Sequence, residues 1–129
     1  MSSNSQFIGE LRTSRFKYFD VKTNKLAFKS RPVLIVGCEK EVGPCDFTVL
    51  PVSTISNPAN IIPDFDIFIS MQEFPTLNLS RDSYCRTSKV STVHSKDVGT
   101  KKIATLKDIY PELYHEIQTK FNLFSNSLF

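Results

Sequence analysis

The chain has 129 residues, 40% of them hydrophobic and 22% charged, with a formal net charge of +3. That length suits a single domain able to bury about two-thirds of its unfolded surface, and that composition excludes wholesale disorder. No apolar run approaches the ~20 residues a membrane helix needs. The opening MSSNSQFIGE carries neither a basic start nor an apolar stretch. No membrane partner and no secretory signal are therefore expected, and the expected location is cytoplasmic.

The net charge hides a pattern. Glu10 to Arg31 holds seven Lys/Arg against two acids, and Arg81 to Lys102 holds six against two. Between them, Glu39 to Leu79 has one Lys against six acids. Two basic segments flanking an acidic one would form one positive face if the fold brought them together, which is the footprint of a nucleic-acid binder. Scattered lysines also keep small proteins soluble. Cys38, Cys45 and Cys85 form no Cys-x-x-Cys pair, and only His94 and His115 could supplement them. Neither a metal site nor a disulfide framework is expected, and no cofactor is implied.

Met1–Gln6 reads as a disordered polar tail and residues 7–129 as the single domain. Phe7–Leu11 and Phe16–Val21 have β-type composition, the second rich in aromatics. Val21–Arg31 (VKTNKLAFKSR) is polar and basic without a clear period, and reads as a loop. Pro32–Gly37 (PVLIVG) is a continuous apolar run, as expected of a strand buried on both faces. Asp46–Val52 is another, with Pro51 marking an edge, a bulge or the strand end. Ser53–Phe65 is Ser/Asn/Pro-rich loop, Asp66–Met71 alternates as a strand, and Glu73–Asp82 is loop or irregular edge. Tyr84–Thr87 and Lys89–His94 are short strand candidates. The acids of Glu39–Glu41 and Asp64–Asp66 read as solvated loop charges.

The period then changes. Leu113, Ile117, Phe121 and Phe124 share one helical face with Tyr114 beside them. Pro111 suits the first turn of that helix, and Glu112 favours its positive end. Thr105–Asp108 has capping-box spacing and could open a short helix of its own. Five or more short strands followed by a helix predict a compact, mostly antiparallel barrel capped by the helix. His115 is assigned a structural place in that helix.

No Gly-rich phosphate loop and no paired-carboxylate motif stands out, and Cys85 beside Arg86 is a weak thiolate signal. Three elements say more. Arg31 immediately precedes an apolar strand and must sit at its mouth, because a buried unpaired guanidinium is very costly. Ser53 and Thr54 follow Pro51-Val52 at the end of another strand. Arg86 and Thr87 sit in a short extended segment. Singly, each has a plain structural role as loop charge, turn former or edge-strand gatekeeper.

Taken in order over Phe16 to Phe124, these elements and the terminal helix resemble the MazF/Kid/PemK toxins, the endoribonucleases of type II toxin–antitoxin pairs. The strongest match is Arg31-Pro32 leading into Val33–Val36, followed by Phe47–Thr54 and by Arg86-Thr87 with a basic strand after it. The resemblance implies a small SH3-like, MazF/CcdB-type antiparallel β-barrel with a C-terminal helix. It implies a homodimer that binds single-stranded RNA across the dimer face and a cognate antitoxin that inhibits it. Cleavage would be metal-independent, leaving 2′,3′-cyclic phosphate and 5′-OH ends. Arg31 corresponds to the family's catalytic arginine and Ser53 to its catalytic Thr/Ser, with Thr54 close enough to compete. Arg86 matches a position that in some members contributes to the site or to substrate contact.

The chemistry agrees with those roles. Attack by a ribose 2′-OH builds charge on the non-bridging phosphate oxygens, which a guanidinium can meet with two donors. A serine hydroxyl can hold the reacting groups in line. Lys29, Arg86, Thr87 and Lys89 would hold the RNA backbone, with Phe28 or Tyr84 stacking a base. His94 joins this RNA-binding set. Its reference pKa near 6.5 suits proton transfer, but the family pattern does not require a histidine there, and a strand-end role is the plainer reading. The rival reading is a non-catalytic binding module on the same barrel. Relatives that poison gyrase rely on a Trp-containing C-terminus, and this chain has no Trp.

Overall fold

A computed structural model describes residues 3–129. Seven strands run in the order β1 (Glu10–Asp20), β2 (Lys25–Cys38), β3 (Asp46–Ser53), β4 (Asp66–Ile69), β5 (Ser83–Arg86), β6 (Ser91–His94) and β7 (Val98–Thr105). Two helices close the chain, α1 (Leu106–Ile109) and α2 (Pro111–Asn126). Every strand pair is antiparallel. The path β4-β5-β3-β2-β1-β7, with β6 also on β3, curls into a half-barrel, so the chain is mainly β with a C-terminal helix.

The centre of the sheet is buried on both faces, as the unbroken apolar run in β2 predicts. On one face Leu11, Leu34 and Leu50 align across β1, β2 and β3 and pack with Leu113, Tyr114 and Ile117 of α2. On the other, Val33 and Ile35 join Cys45, Phe47, Val49 and Val93. Val33, Leu34 and Ile35 have no exposed surface at all. α2 starts as expected, with Pro111 in its first turn and Leu113 and Ile117 on its buried face. Thr105 makes no side-chain capping bond, although α1 follows it.

Three segments differ from the sequence reading. Val21–Arg31 is not a loop: only Val21–Asn24 turn, and Asn24 takes the left-handed conformation (φ 56°) that Asn tolerates. From Lys25 onward the chain is strand, paired to β1 from Asp20↔Lys25 through Leu11↔Leu34. Phe7–Leu11 and Phe16–Val21 are not two strands either, since β1 is continuous from Glu10 to Asp20. β1 keeps β7 only as far as Ser14, and β2 keeps β3 only as far as Val33. Residues 15–32 therefore form a two-stranded arm beyond the barrel, with Arg15 over the Phe28 ring (4.3 Å) and Lys29 over Tyr18 (4.5 Å). Its pairing is that of a local hairpin, but its faces are half polar, so no burial pattern announces it.

β7 also escapes sequence reading, because Ala104 is its one fully buried residue. Its register with β1 shifts twice, and the Arg12 guanidinium fills the irregularity by donating to the carbonyls of Gly99 (3.0 Å) and Thr100 (2.9 Å). The segment expected to be a disordered tail contains a 3-10 turn, Asn4–Phe7, whose Asn4 side chain donates to the carbonyls of Lys40 and Gly43. Met1 and Ser2 of that expected tail lie outside the described residues. Among the described residues no helix is long and apolar enough to cross a membrane.

Leu34 contacts both neighbouring strands at the middle of the sheet. Leu34→Ala should lower the unfolding free energy by about 2–5 kcal/mol, the range for emptying a buried leucine site, as read from chemical denaturation.

Candidate functional site

Alternation along the strands carries the site. Residues that face the Val33/Ile35 core inside the barrel continue outward as Ser14, Phe16 and Tyr18 on β1 and as Arg31, Lys29 and Ala27 on β2. Where β3 ends, the same face holds Pro51 and Ser53. The 3-10 turn Thr87–Lys89 and the start of β6 stand opposite, and an open groove of about 670 Å³ lies between them.

Arg31, Lys29 and Lys89 line this groove, Lys17 borders it although it alternates to the Phe28 face of the arm, and among the described residues no carboxylate lines it. Arg31 is exposed and, among the described residues, has no ion-pair partner. It does not stand at the mouth of the strand as expected, but in its middle, opposite Ser14, because β2 extends six residues further toward its N-terminus. Its guanidinium escapes burial because β3 no longer flanks β2 there. Ser53 and Ser91 add hydroxyls, and the Ser88 hydroxyl is buried at the wall with no partner among the described residues.

Arg86 also borders the groove but is held differently. Its guanidinium donates to Asp66 through Nε (3.2 Å to Oδ1) and a terminal nitrogen (3.3 Å to Oδ2), and to the Asn60 carbonyl (2.9 Å). The Asp66 side chain is fully buried and also accepts from the Ile62 N–H (2.8 Å). Asp66 is therefore not the solvated loop charge its sequence surroundings suggest; the β4–β5 pairing Asp66↔Arg86 brings its counterion to it. A buried carboxylate needs such a partner.

Of the residues singled out from sequence, Arg31, Ser53, Lys29, Arg86 and Lys89 meet at the groove. Thr54 does not line it; it borders a smaller adjoining cleft of about 120 Å³ that Arg31 and Ser53 share. Phe28 lies on the opposite face of the arm, beneath Arg15. Tyr84 is tilted against Phe68, ring centroids 5.1 Å apart. Thr87 is fully buried, its hydroxyl donating to the Phe65 carbonyl at 2.7 Å. His94 sits at the far end of β6, its Nδ1 accepting from the Lys96 N–H (3.1 Å). His115 is exposed on α2. The groove residues that sequence reading missed are Phe16, Lys17, Tyr18, Pro51, Ser88, Val90 and Ser91. The alternation of Phe16 and Tyr18 was a readable signal for the first of these; nothing local marks the serines.

Among the described residues no cluster of three or more His, Cys, Asp or Glu side chains could hold a metal ion. Cys85 is not an activated thiol: burial, with the Asp66 charge adding to it, pushes its pKa up to about 12. Chemically, the groove presents fixed cations and hydroxyls to an anionic ligand. No protein-family profile matches the chain, and no curated protein matches it significantly in sequence.

Two outcomes follow. Arg86→Ala, which strands a buried carboxylate, should cost about 3–5 kcal/mol of stability, whereas Arg31→Ala, at an exposed site, should stay within about 0.5 kcal/mol; paired denaturation curves compare them. Because the Cys85 thiol stays neutral below a pKa of about 12, it should resist alkylation in the folded protein at pH 8 and react on unfolding, as mass spectrometry of the labelled peptides would show.

Proposed function

We propose that the groove binds single-stranded RNA and cleaves it without a metal ion, in the manner of the MazF/Kid/PemK endoribonucleases. The observation that carries this reading is the meeting of Arg31 and Ser53 in one groove with Lys29 and Lys89 and no carboxylate. A phosphodiester is the ligand such a lining fits, because two guanidinium N–H groups match two phosphate oxygens and the ammonium groups hold the flanking charges.

In the proposed reaction the ribose 2′-oxygen bonds to the adjacent phosphorus and the bond from phosphorus to the 5′-oxygen breaks. Arg31 donates to the non-bridging oxygens as their charge grows, and it stays protonated at any working pH. Ser53 holds the 2′-OH or a phosphate oxygen in line. With no carboxylate or imidazole lining the groove, water takes the 2′-OH proton and returns one to the leaving 5′-oxygen. The products are a 2′,3′-cyclic phosphate and a 5′-OH. A homodimer, a cognate antitoxin laid over the groove, and a cytoplasmic location belong to the same proposal.

The second reading, a non-catalytic binding module, draws on a different surface. Phe19, Leu26 and Phe28 stand exposed together on the outer face of the arm, which suits a protein contact more than a nuclease site.

Incubation of a long mixed-sequence RNA with EDTA present separates the two. Discrete cuts ending in cyclic phosphate, reduced about 10²–10³-fold by Arg31→Ala, are the expected result, that being the usual cost of one transition-state donor. Intact RNA in the presence of folded wild-type protein would overturn the nuclease reading.

A further inference from the structure

The arm supplies the groove with more than charge. Tyr18 projects from β1 on the groove side, half-exposed, and its cross-strand neighbour is Ala27, a single methyl group. Nothing bulky therefore stands beside the ring on β2. The ring is met instead by the diagonal Lys29, whose ammonium lies 4.5 Å from its centroid. That contact is weak at an exposed site, and a mobile lysine yields it readily. Two residues inward, Phe16 is half-buried and packed against the Val33/Ile35 core, so the inner end of this aromatic wall is rigid. Tyr18 lies four residues beyond Ser14, the partner of Arg31, which sets it about 13 Å from that residue along the strand at ~3.3 Å per residue.

We propose that Tyr18, backed by Phe16, is a stacking site for an unpaired nucleobase, and that Lys29 swings off the ring to a neighbouring phosphate when the base arrives. This rests on the groove being an RNA site, and adds to it which part of the strand the arm reads. The logic is steric and electronic. An aromatic face next to cations can take any nucleobase, but only one that is free of its own helix, so the site selects single strands over duplexes without reading sequence. A phosphate lying between Arg31 and Lys29 would place a flanking base over the Tyr18 ring. The aromatic residues on the arm's other face, Phe19 and Phe28, point away from this path.

The absence of tryptophan from the chain makes the test direct. Tyr18→Trp installs a single indole at the site, and the probe is a short mixed-sequence oligoribonucleotide with 2′-O-methyl sugars, which binds without being cut. Its single-stranded form should quench the indole emission, and its duplex with the complementary strand should not. Tyr18→Ala should weaken binding of the single strand about 5- to 150-fold, the range for one stacked base, with the salt dependence of binding unchanged because no phosphate contact is lost. Tyr18→Phe should retain binding. Phe19→Ala, on the same strand but the opposite face, should also retain it, which excludes fraying of the arm as the cause. Wild-type affinity in Tyr18→Ala, with no quenching in Tyr18→Trp, would overturn the stacking site while leaving the groove as an RNA site. Failure of the wild-type protein to bind the single strand at all would overturn both.

Discussion

The fold depends on one strand segment, Val33–Leu34–Ile35, being dry on both faces. Leu34 can be fully buried only if β1 and β3 flank it and α2 lies over it, and Val33 and Ile35 only if β3, β6 and the residues around Cys45 close the other side. A sheet with both faces covered cannot slip in register, because a shift by one residue would exchange the two apolar sets between cores of different shape. The Leu11–Leu34–Leu50 row thus sets the alignment of three strands at once, and every other element attaches to that frame.

The groove is a consequence of where that frame stops. β7 leaves β1 at Ser14 and β3 leaves β2 at Val33, so the two longest strands continue as a pair with nothing beside them. A two-stranded ribbon is marginal by itself in water; here it is continuous with the buried rungs, and cation–aromatic contacts on each face bridge it. The alternation that sends Val33 and Ile35 inward sends Arg31 and Lys29 onto the same face one and two steps further out, where it opens to solvent. A guanidinium and an ammonium are thus presented on paired strand rather than on a loop, beside the serine that ends β3.

On the opposite wall, structure and charge are separated by pairing. Arg86 and Arg31 look alike in the sequence, each an arginine at an extended segment. In the fold Arg86 is held by the buried Asp66 and helps to seat the turn that carries Ser88 and Lys89, while Arg31 has no ion-pair partner among the described residues. Thr87 takes part in the same seating through the Phe65 carbonyl. The positive character of the groove rests on fewer residues than the count of basic side chains suggests.

Much of the frame was legible in the amino-acid order. The apolar run Pro32–Gly37 specified a strand buried on both faces, Pro111 and the Leu113/Ile117 spacing specified the terminal helix, and Arg31 and Ser53 were marked by lying at the ends of apolar runs, whereas Lys29 and Lys89 stood out only as members of basic segments. These are local signals, carried by periodicity and by the cost of burying charge. What only the tertiary structure decided depends on pairing partners rather than on local periodicity. Lys25–Arg31 is strand because β1 pairs with it, and β7 is strand because Arg12 and β1 satisfy its backbone. Asp66 is buried because Arg86 arrives opposite it. Which aromatics face the groove follows from the register of β1 against β2, and that register is set by leucines outside the arm. Alternation in the sequence can say that Phe16 and Tyr18 share a face, but only the pairing says which face that is.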